Sequence, residues 1–369
     1  MVTWLYAQRL SGQTIQNRGG MTTAETSTRA RWEQDYLGPE YQKQTLDLGT
    51  DEEGAVVATL IRHRRGRSRL MPDRSWWQRV VELKGPEPRV PREVVLYLHG
   101  WADYFFQTEL AEFFTNRGIS FYALDLRKYG RSLRPGQSEG FAEDLEIYDE
   151  DLAAALKAIA NDVGPDHRVH LLAHSLGGLI GCLWADRHPG VLSSLILNGP
   201  WLELQGSRFL RQIATHLVDP FVRADPRRIF NHPDMTAYWQ SVSSTAHGEW
   251  DLDPRWRPAN SFPFRAGWIK AVLNGHAQVS RGLKIDVPIL MLLSERTLIQ
   301  ADWTEQMQGV DAVIDVNQMA RLGLQIGSRV MVNRYSGGLH DVFLSRESVR
   351  LTAYADLGHW MRAYGASAL

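Results

Sequence analysis

The chain has 369 residues, enough to bury a large core, and its 41 basic side chains nearly balance 42 acidic ones, so it presents no net field to nucleic acid. Cys182 is the single cysteine, which excludes an intrachain disulfide and favours a reducing compartment. The apolar run Val2 to Ala7 is too short for a secretory core of roughly 7–15 residues, and no segment reaches the ~18 apolar residues of a membrane span, so a cytoplasmic protein is expected.

In chain order, residues 1–30 are polar and aperiodic and read as a disordered extension, with Met21 an alternative start to Met1. Tyr41 to Leu48 and Ala55 to Arg62 read as two strands of a hairpin. Five arginines between Arg62 and Arg69 lead to Trp76-Trp77; a solvated loop is the favoured reading, and transient contact with an anionic membrane surface the other. From Val94 the pattern alternates strand and helix. Val94 to Leu98 is a strand, and Asp103 is expected to cap a helix running to Asn116, ended by Gly118. Ile119 to Leu126 is a strand. Phe141, Leu145, Tyr148, Leu152, Leu156 and Ile159 keep helical spacing up to Gly164-Pro165.

Val169 to Leu172 then enters Ala173-His174-Ser175-Leu176-Gly177-Gly178, after which Leu179, Ile180, Leu183 and Trp184 repeat at helical spacing. A strand that turns sharply into a helix at a serine is a nucleophile elbow: it lifts the hydroxyl above the sheet and aims helix N–H groups at the attacked atom. Further strands follow at Ser194 to Leu197 and Pro288 to Leu293. This alternation predicts an α/β fold, a mostly parallel central sheet flanked by helices. The expected division is a core in two parts, 31–203 and 286–369, with a helical cap inserted between late strands at 204–285. Phe209, Ile213, Leu217 and Val218 suggest one amphipathic helix there. Trp239, Trp250, Trp256 and Trp268 either line an apolar pocket or form the cap's own small core.

A serine hydroxyl needs a base, and the base needs an acid to hold its tautomer. His340, after the strand-like Arg329 to Tyr335 and two glycines, is the expected base among twelve histidines. Asp311 is the expected acid, because Asp315 has an ordinary use as the cap of the helix beginning at Val316. Asp315 itself and Glu295, nearer the strand end, remain alternatives. The backbone N–H groups of Leu176 and Trp101 are expected to form the oxyanion hole. Trp101, Trp201, Trp250 and Trp268 are the candidate substrate wall. No H-E-x-x-H or comparable ligand cluster occurs, so neither metal nor cofactor is expected.

With these residues in place, the chain resembles the α/β-hydrolase superfamily, and most closely its monoacylglycerol lipase and lysophospholipase branch of serine aminopeptidase S33-type hydrolases. The resemblance spans roughly residues 40–360 and includes His99-Gly100-Trp101, Asp125 with Gly130-Arg131-Ser132, and the chain order Ser175, Asp311, His340. Two departures stand out: Ala173 replaces the elbow's first glycine, and Asp311 lies well beyond its strand. The resemblance implies a serine hydrolase cleaving lipid-like or small acyl esters through an acyl-enzyme. The same machinery serves thioesterases, amidases, peptidases and acyltransferases, and a noncatalytic binding protein is the reading from another class.

Overall fold

The computed structural model describes residues 31–64, 91–204, 217–231 and 236–365. The expected N-terminal extension, most of the arginine-rich stretch, Trp76-Trp77, Phe209 and Ile213 lie outside these residues. Residues 217–224, with Leu217 and Val218, are helical.

A nine-stranded sheet organises the molecule, in the order β1-β2-β3-β5-β4-β6-β7-β10-β11. It comprises β1 (Glu33–Asp35), β2 (Gly38–Asp51), β3 (Gly54–His63), β4 (Arg92–Leu98), β5 (Ser120–Asp125), β6 (His167–His174), β7 (Ser194–Asn198), β10 (Ile289–Ser294) and β11 (Val330–Tyr335). β2 and β3 form the expected antiparallel hairpin, and β5, β4, β6, β7, β10 and β11 pair side by side in parallel. Alternate side chains of β4 face opposite ways, as a pleated strand requires. Val94, Leu96 and Leu98 enter one core and Val95 and Tyr97 the other.

Helices cover both faces. The first core is closed by α2 (Tyr148–Val163) and α3 (Leu176–Arg187), the second by α1 (Thr108–Thr115) and α7 (Glu347–Trp360). Residues 204–285 carry α4 (Thr236–Val242), the two-stranded β8 (Ile229–Phe230) and β9 (Phe264–Arg265), and α5 (Ala266–Val279). α5 packs on the core: a Cβ on Gly275 would come 3.2 Å from Leu183. It therefore serves as the crossover that parallel strands β7 and β10 need. Short α6 (Val316–Gly323) precedes β11, and Asp315 caps it by accepting from the N–H groups of Asn317 and Gln318.

Two expected helix starts differ. Asp103 caps nothing; the helix begins at Thr108, because the Phe105 N–H is taken by the Asp125 carboxylate at 3.0 Å and Asp103 pairs with Arg257. Phe141 lies before α2, which begins only after a 3-10 turn at Leu145–Ile147 capped by Asp144. Both segments keep apolar spacing, yet long-range polar contacts displace the first helix start and a local cap at Asp144 the second.

Chain direction reverses its lateral progress at β4, whose neighbours are β5 on one side and β6 on the other. Loops after β4 and β6 thus flank the crevice where open α/β sheets bind ligands. Among the described residues no helix is long and apolar enough to cross a membrane.

Candidate active site

Ser175 stands between β6 and α3 with φ 51° and ψ −116°. A non-glycine residue held there stores strain of roughly 1–3 kcal/mol, which persists because the surroundings fix it. The Ser175 N–H donates to the Asn198 carbonyl and its own carbonyl accepts from Leu179 and Trp201. Close approach of loop and helix is built in: a Cβ on Gly177 would lie 2.3 Å from the His99 carbonyl oxygen. The methyl of Ala173, where the elbow pattern has glycine, faces Gly181 of α3, and a Cβ there would be 3.3 Å away. Gly181 leaves room for that methyl at the helix–strand contact.

The Ser175 hydroxyl lies 2.9 Å from His340 Nε2, and His340 Nδ1 lies 2.8 Å from Asp311 Oδ2. Asp311 is fully buried, and its other oxygen accepts from the N–H groups of Val313 and Ile314 at 2.7 and 2.9 Å. The distance along the chain from β10 is closed by backbone bonds: Asp311 N–H donates to Arg296 and Leu298 N–H to Asp311. Residues 297–310 form an excursion that returns to the strand end. Of the alternative acids, Asp315 is occupied as a helix cap and Glu295 is exposed.

Gly199 lets the histidine loop settle against β7; with φ 53°, it has a Cβ direction only 2.2 Å from the His340 carbonyl oxygen, so no side chain fits. The loop is further held by Asp341, whose carboxylate accepts from Asn198 Nδ2 at 2.6 Å, Gln107 Nε2 at 3.3 Å and the Phe343 N–H at 2.9 Å. Asn198 Oδ1 accepts in turn from the Val342 N–H. The His174 ring lies 4.9 Å from that of His340, tilted by 57°, and burial pushes its imidazole below the ordinary value. Gln107, Asn198 and Asp341 carry no signal in the sequence beyond their polarity and their places before α1, at the end of β7 and beside His340.

The Gly100-Trp101 loop passes over the elbow, with a Cβ on Gly100 reaching 3.0 Å from Ser175 Cβ. His99 anchors this loop by bonding the Gly100 carbonyl through Nδ1 and accepting the Leu126 N–H at Nε2. Leu176 is the first residue of α3, where an amide has no carbonyl four residues back to bond. The Trp101 ring lies 3.7 Å from Trp268, and Trp268 lies 6.2 Å from Trp201. These three candidate substrate residues come together. Trp250 does not join them: it packs on Phe106 and donates Nε1 to the Leu344 carbonyl. Among the described residues no group of His, Cys, Asp and Glu is arranged to hold a metal.

A family model described as serine aminopeptidase, S33, matches residues 89–347, a span that includes Ser175, Asp311 and His340. A monoacylglycerol lipase of Mycolicibacterium smegmatis is 25% identical over 280 residues, covering 73% of this chain and 81% of that protein. Lysophospholipase L2 of Escherichia coli is 24% identical over 261 residues, covering 66% and 73%. The structure of a soluble variant of the monoglyceride lipase from Saccharomyces cerevisiae, in complex with a substrate analog, superposes with a TM-score of 0.57 at 15% identity, covering 87% of this chain and 96% of that one. Matched over most of its length by the family model and folded around a mostly parallel sheet flanked by helices, the chain belongs to the serine aminopeptidase S33 family of α/β-hydrolases.

Proposed function

We propose that this protein is a serine hydrolase of lipid-like carboxylic esters, with monoacylglycerols and lysophospholipids as its substrate class. Ser175 Oγ attacks the acyl carbonyl while His340 Nε2 takes its proton. Asp311 holds the imidazole with Nδ1 protonated and stabilises the imidazolium that forms. The N–H groups of Leu176 and Trp101 receive the oxyanion, and loss of one such donor typically costs about 10²–10³ in turnover. Proton return from His340 releases the alcohol, and water, activated by the same imidazole, then frees the acyl group.

The observation that carries this reading is the continuous hydrogen-bonded chain from Ser175 through His340 to Asp311, set on a strained turn at a helix start. The names of the lipase and lysophospholipase relatives support the substrate class. Trp101, Trp201 and Trp268 are the aromatic wall we assign to the acyl chain; Trp268 comes from the cap we assign to residues 204–285, and Trp101 and Trp201 from loops after β4 and β7. The setting is cytoplasmic, a reading supported by Cys182, a buried free thiol. A turnover screen over monoacylglycerols, lysophospholipids, aryl esters and acyl thioesters tests the proposal, with Ser175→Ala as the blank. Hydrolysis of glycerol or glycerophosphate esters that vanishes in the blank supports it. Turnover confined to thioesters, or retained by Ser175→Ala, overturns it.

A further inference from the structure

We propose that Tyr238, carried by the inserted segment, is a positioning residue for His340; the inference rests on the serine-hydrolase reading above. Tyr238 sits in α4, far from His340 in sequence, yet its ring lies 5.4 Å from the imidazole at 84°. Its hydroxyl accepts the N–H of Asp341 at 3.1 Å. Asp341 is buried, so that amide has no water to turn to if the hydroxyl is removed.

The hydrogen bond to Asp311 fixes one nitrogen of the imidazole, while the bond at Nε2 to the Ser175 hydroxyl is the one that is exchanged in the reaction, so holding the ring throughout needs further contacts. Tyr238 and His174, at 5.4 and 4.9 Å, are ring neighbours that supply such contacts. His174 comes from β6, whereas Tyr238 comes from the insertion, so the orientation of the base depends on where the insertion sits. A buried ion pair sets that location. Arg257 of the insertion bonds Asp103 at 2.7 Å, both side chains nearly out of solvent, and its guanidinium lies over the rings of Tyr238 and Phe106 at 5.6 and 5.4 Å. Trp239 Nε1 bonds the Arg257 carbonyl. Asp103 follows Trp101 by two residues, so one latch ties the brace of the base to the loop proposed to bind the oxyanion. The inserted segment thereby completes the geometry of the site.

The test uses the full chain, with kcat counted per site titrated by a fluorophosphonate, so that misfolded protein does not enter. Tyr238→Phe keeps the ring and loses the acceptor; Tyr238→Leu loses both. Displacement of a reacting group by about 1 Å can cost on the order of a hundredfold, so Tyr238→Leu is expected to lose roughly that in kcat and Tyr238→Phe about tenfold, with KM within twofold of wild type. Recovery from Leu to Phe reports the ring. A second readout needs no turnover: the downfield proton resonance of His340 Nδ1, assigned by its loss in Asp311→Asn, should shift or broaden in Tyr238→Leu. A kcat within about twofold of wild type in both variants, or a loss matched by an equal rise in KM with the resonance unmoved, overturns the proposal. If Tyr238→Leu does not fold, Tyr238→Phe decides by the same criteria. If the wild-type protein hydrolyses no ester, the function proposal fails by itself and the resonance alone decides the role of Tyr238.

Discussion

Two Ser–His–carboxylate chains run through this molecule, at opposite ends of the same parallel strands. One is Ser175, His340 and Asp311. The other is Ser194, His170 and Glu93, in which His170 Nδ1 lies 2.8 Å from Ser194 Oγ and Nε2 lies 2.8 Å from Glu93 Oε2. Distances alone do not separate them. The second chain crosses β7, β6 and β4 laterally from residues inside regular strands, and Ser194 and His170 are fully buried. Burial works against the charge on Glu93, yet His170 and Arg168 hold its carboxyl below the usual range. This chain ties three strands together. Ser175, by contrast, has a backbone turned out of the strand at φ 51° and 8% exposure, with a helix start beneath it. What separates the proposed nucleophile from a structural hydroxyl is the elbow on which Ser175 stands. A nearby imidazole is common to both.

The largest expected effect separates the two serines. Ser175→Ala should lower ester turnover by roughly 10⁴-fold or more with melting little changed, since the lost oxygen contributes little packing. Ser194→Ala should leave kcat intact and lower stability by about 1–3 kcal/mol, because His170 loses a buried partner. Fluorophosphonate labelling followed by peptide mapping checks the pair; modification at Ser194 would erase the distinction. The carboxylates should divide in the same way. Asp311→Asn is expected to cost orders of magnitude in kcat, up to ~10⁴, by favouring the wrong tautomer. Glu93→Gln should retain kcat per titrated site and lose up to about 3–5 kcal/mol of stability as a buried ion pair is broken. Active-site titration with thermal melts distinguishes these outcomes.

The elements that sequence reveals best are those defined by neighbouring residues. The turn at Ser175 follows from a strand run, a small-residue motif and a helix run, all within twenty positions. That Asp315 caps a helix and Asp311 is the aspartate that meets His340 follows locally, since Asp315 has the spacing of a cap, while the choice against Glu295 needs the structure. What stayed hidden depends on partners far along the chain. Asp103 resembles a helix cap locally and is claimed by Arg257, 154 positions away. Tyr238 reaches His340 only because the insertion folds back, and Gly181 answers Ala173 only across a helix–strand contact. Periodicity records which face is buried but carries no information about which buried polar groups meet.

Between catalytic-acid and cap roles the expected contrast is smaller. Asp315→Asn should keep turnover unchanged and shift stability by at most about 0.5–2 kcal/mol, the range for a lost N-cap, because asparagine retains an acceptor for Asn317 and Gln318. A kcat loss resembling that of Asp311→Asn would transfer the acid role to Asp315 and break the assignment.

The smallest effect concerns His174, which lies between the two chains on β6. Burial holds its imidazole below the ordinary 6.5, so the folded protein keeps it neutral where the unfolded chain would take a proton. The sign follows: the contribution of His174 to stability is whole above pH 6.5 and is lost as pH falls below it, by at most about 1.4 kcal/mol per pH unit for one proton. His167 is depressed by burial in the same direction and adds to the slope. Melting curves between pH 7.5 and about 5 should therefore show a shallower fall in Tm for His174→Asn than for wild type, with part of the slope remaining from His167. Equal slopes would mean that the unfolded chain and the folded site protonate His174 alike. The ring beside His340 would then be solvated rather than buried, and the distinction between a dry structural end and a reactive end of the sheet would have to be drawn from the elbow alone.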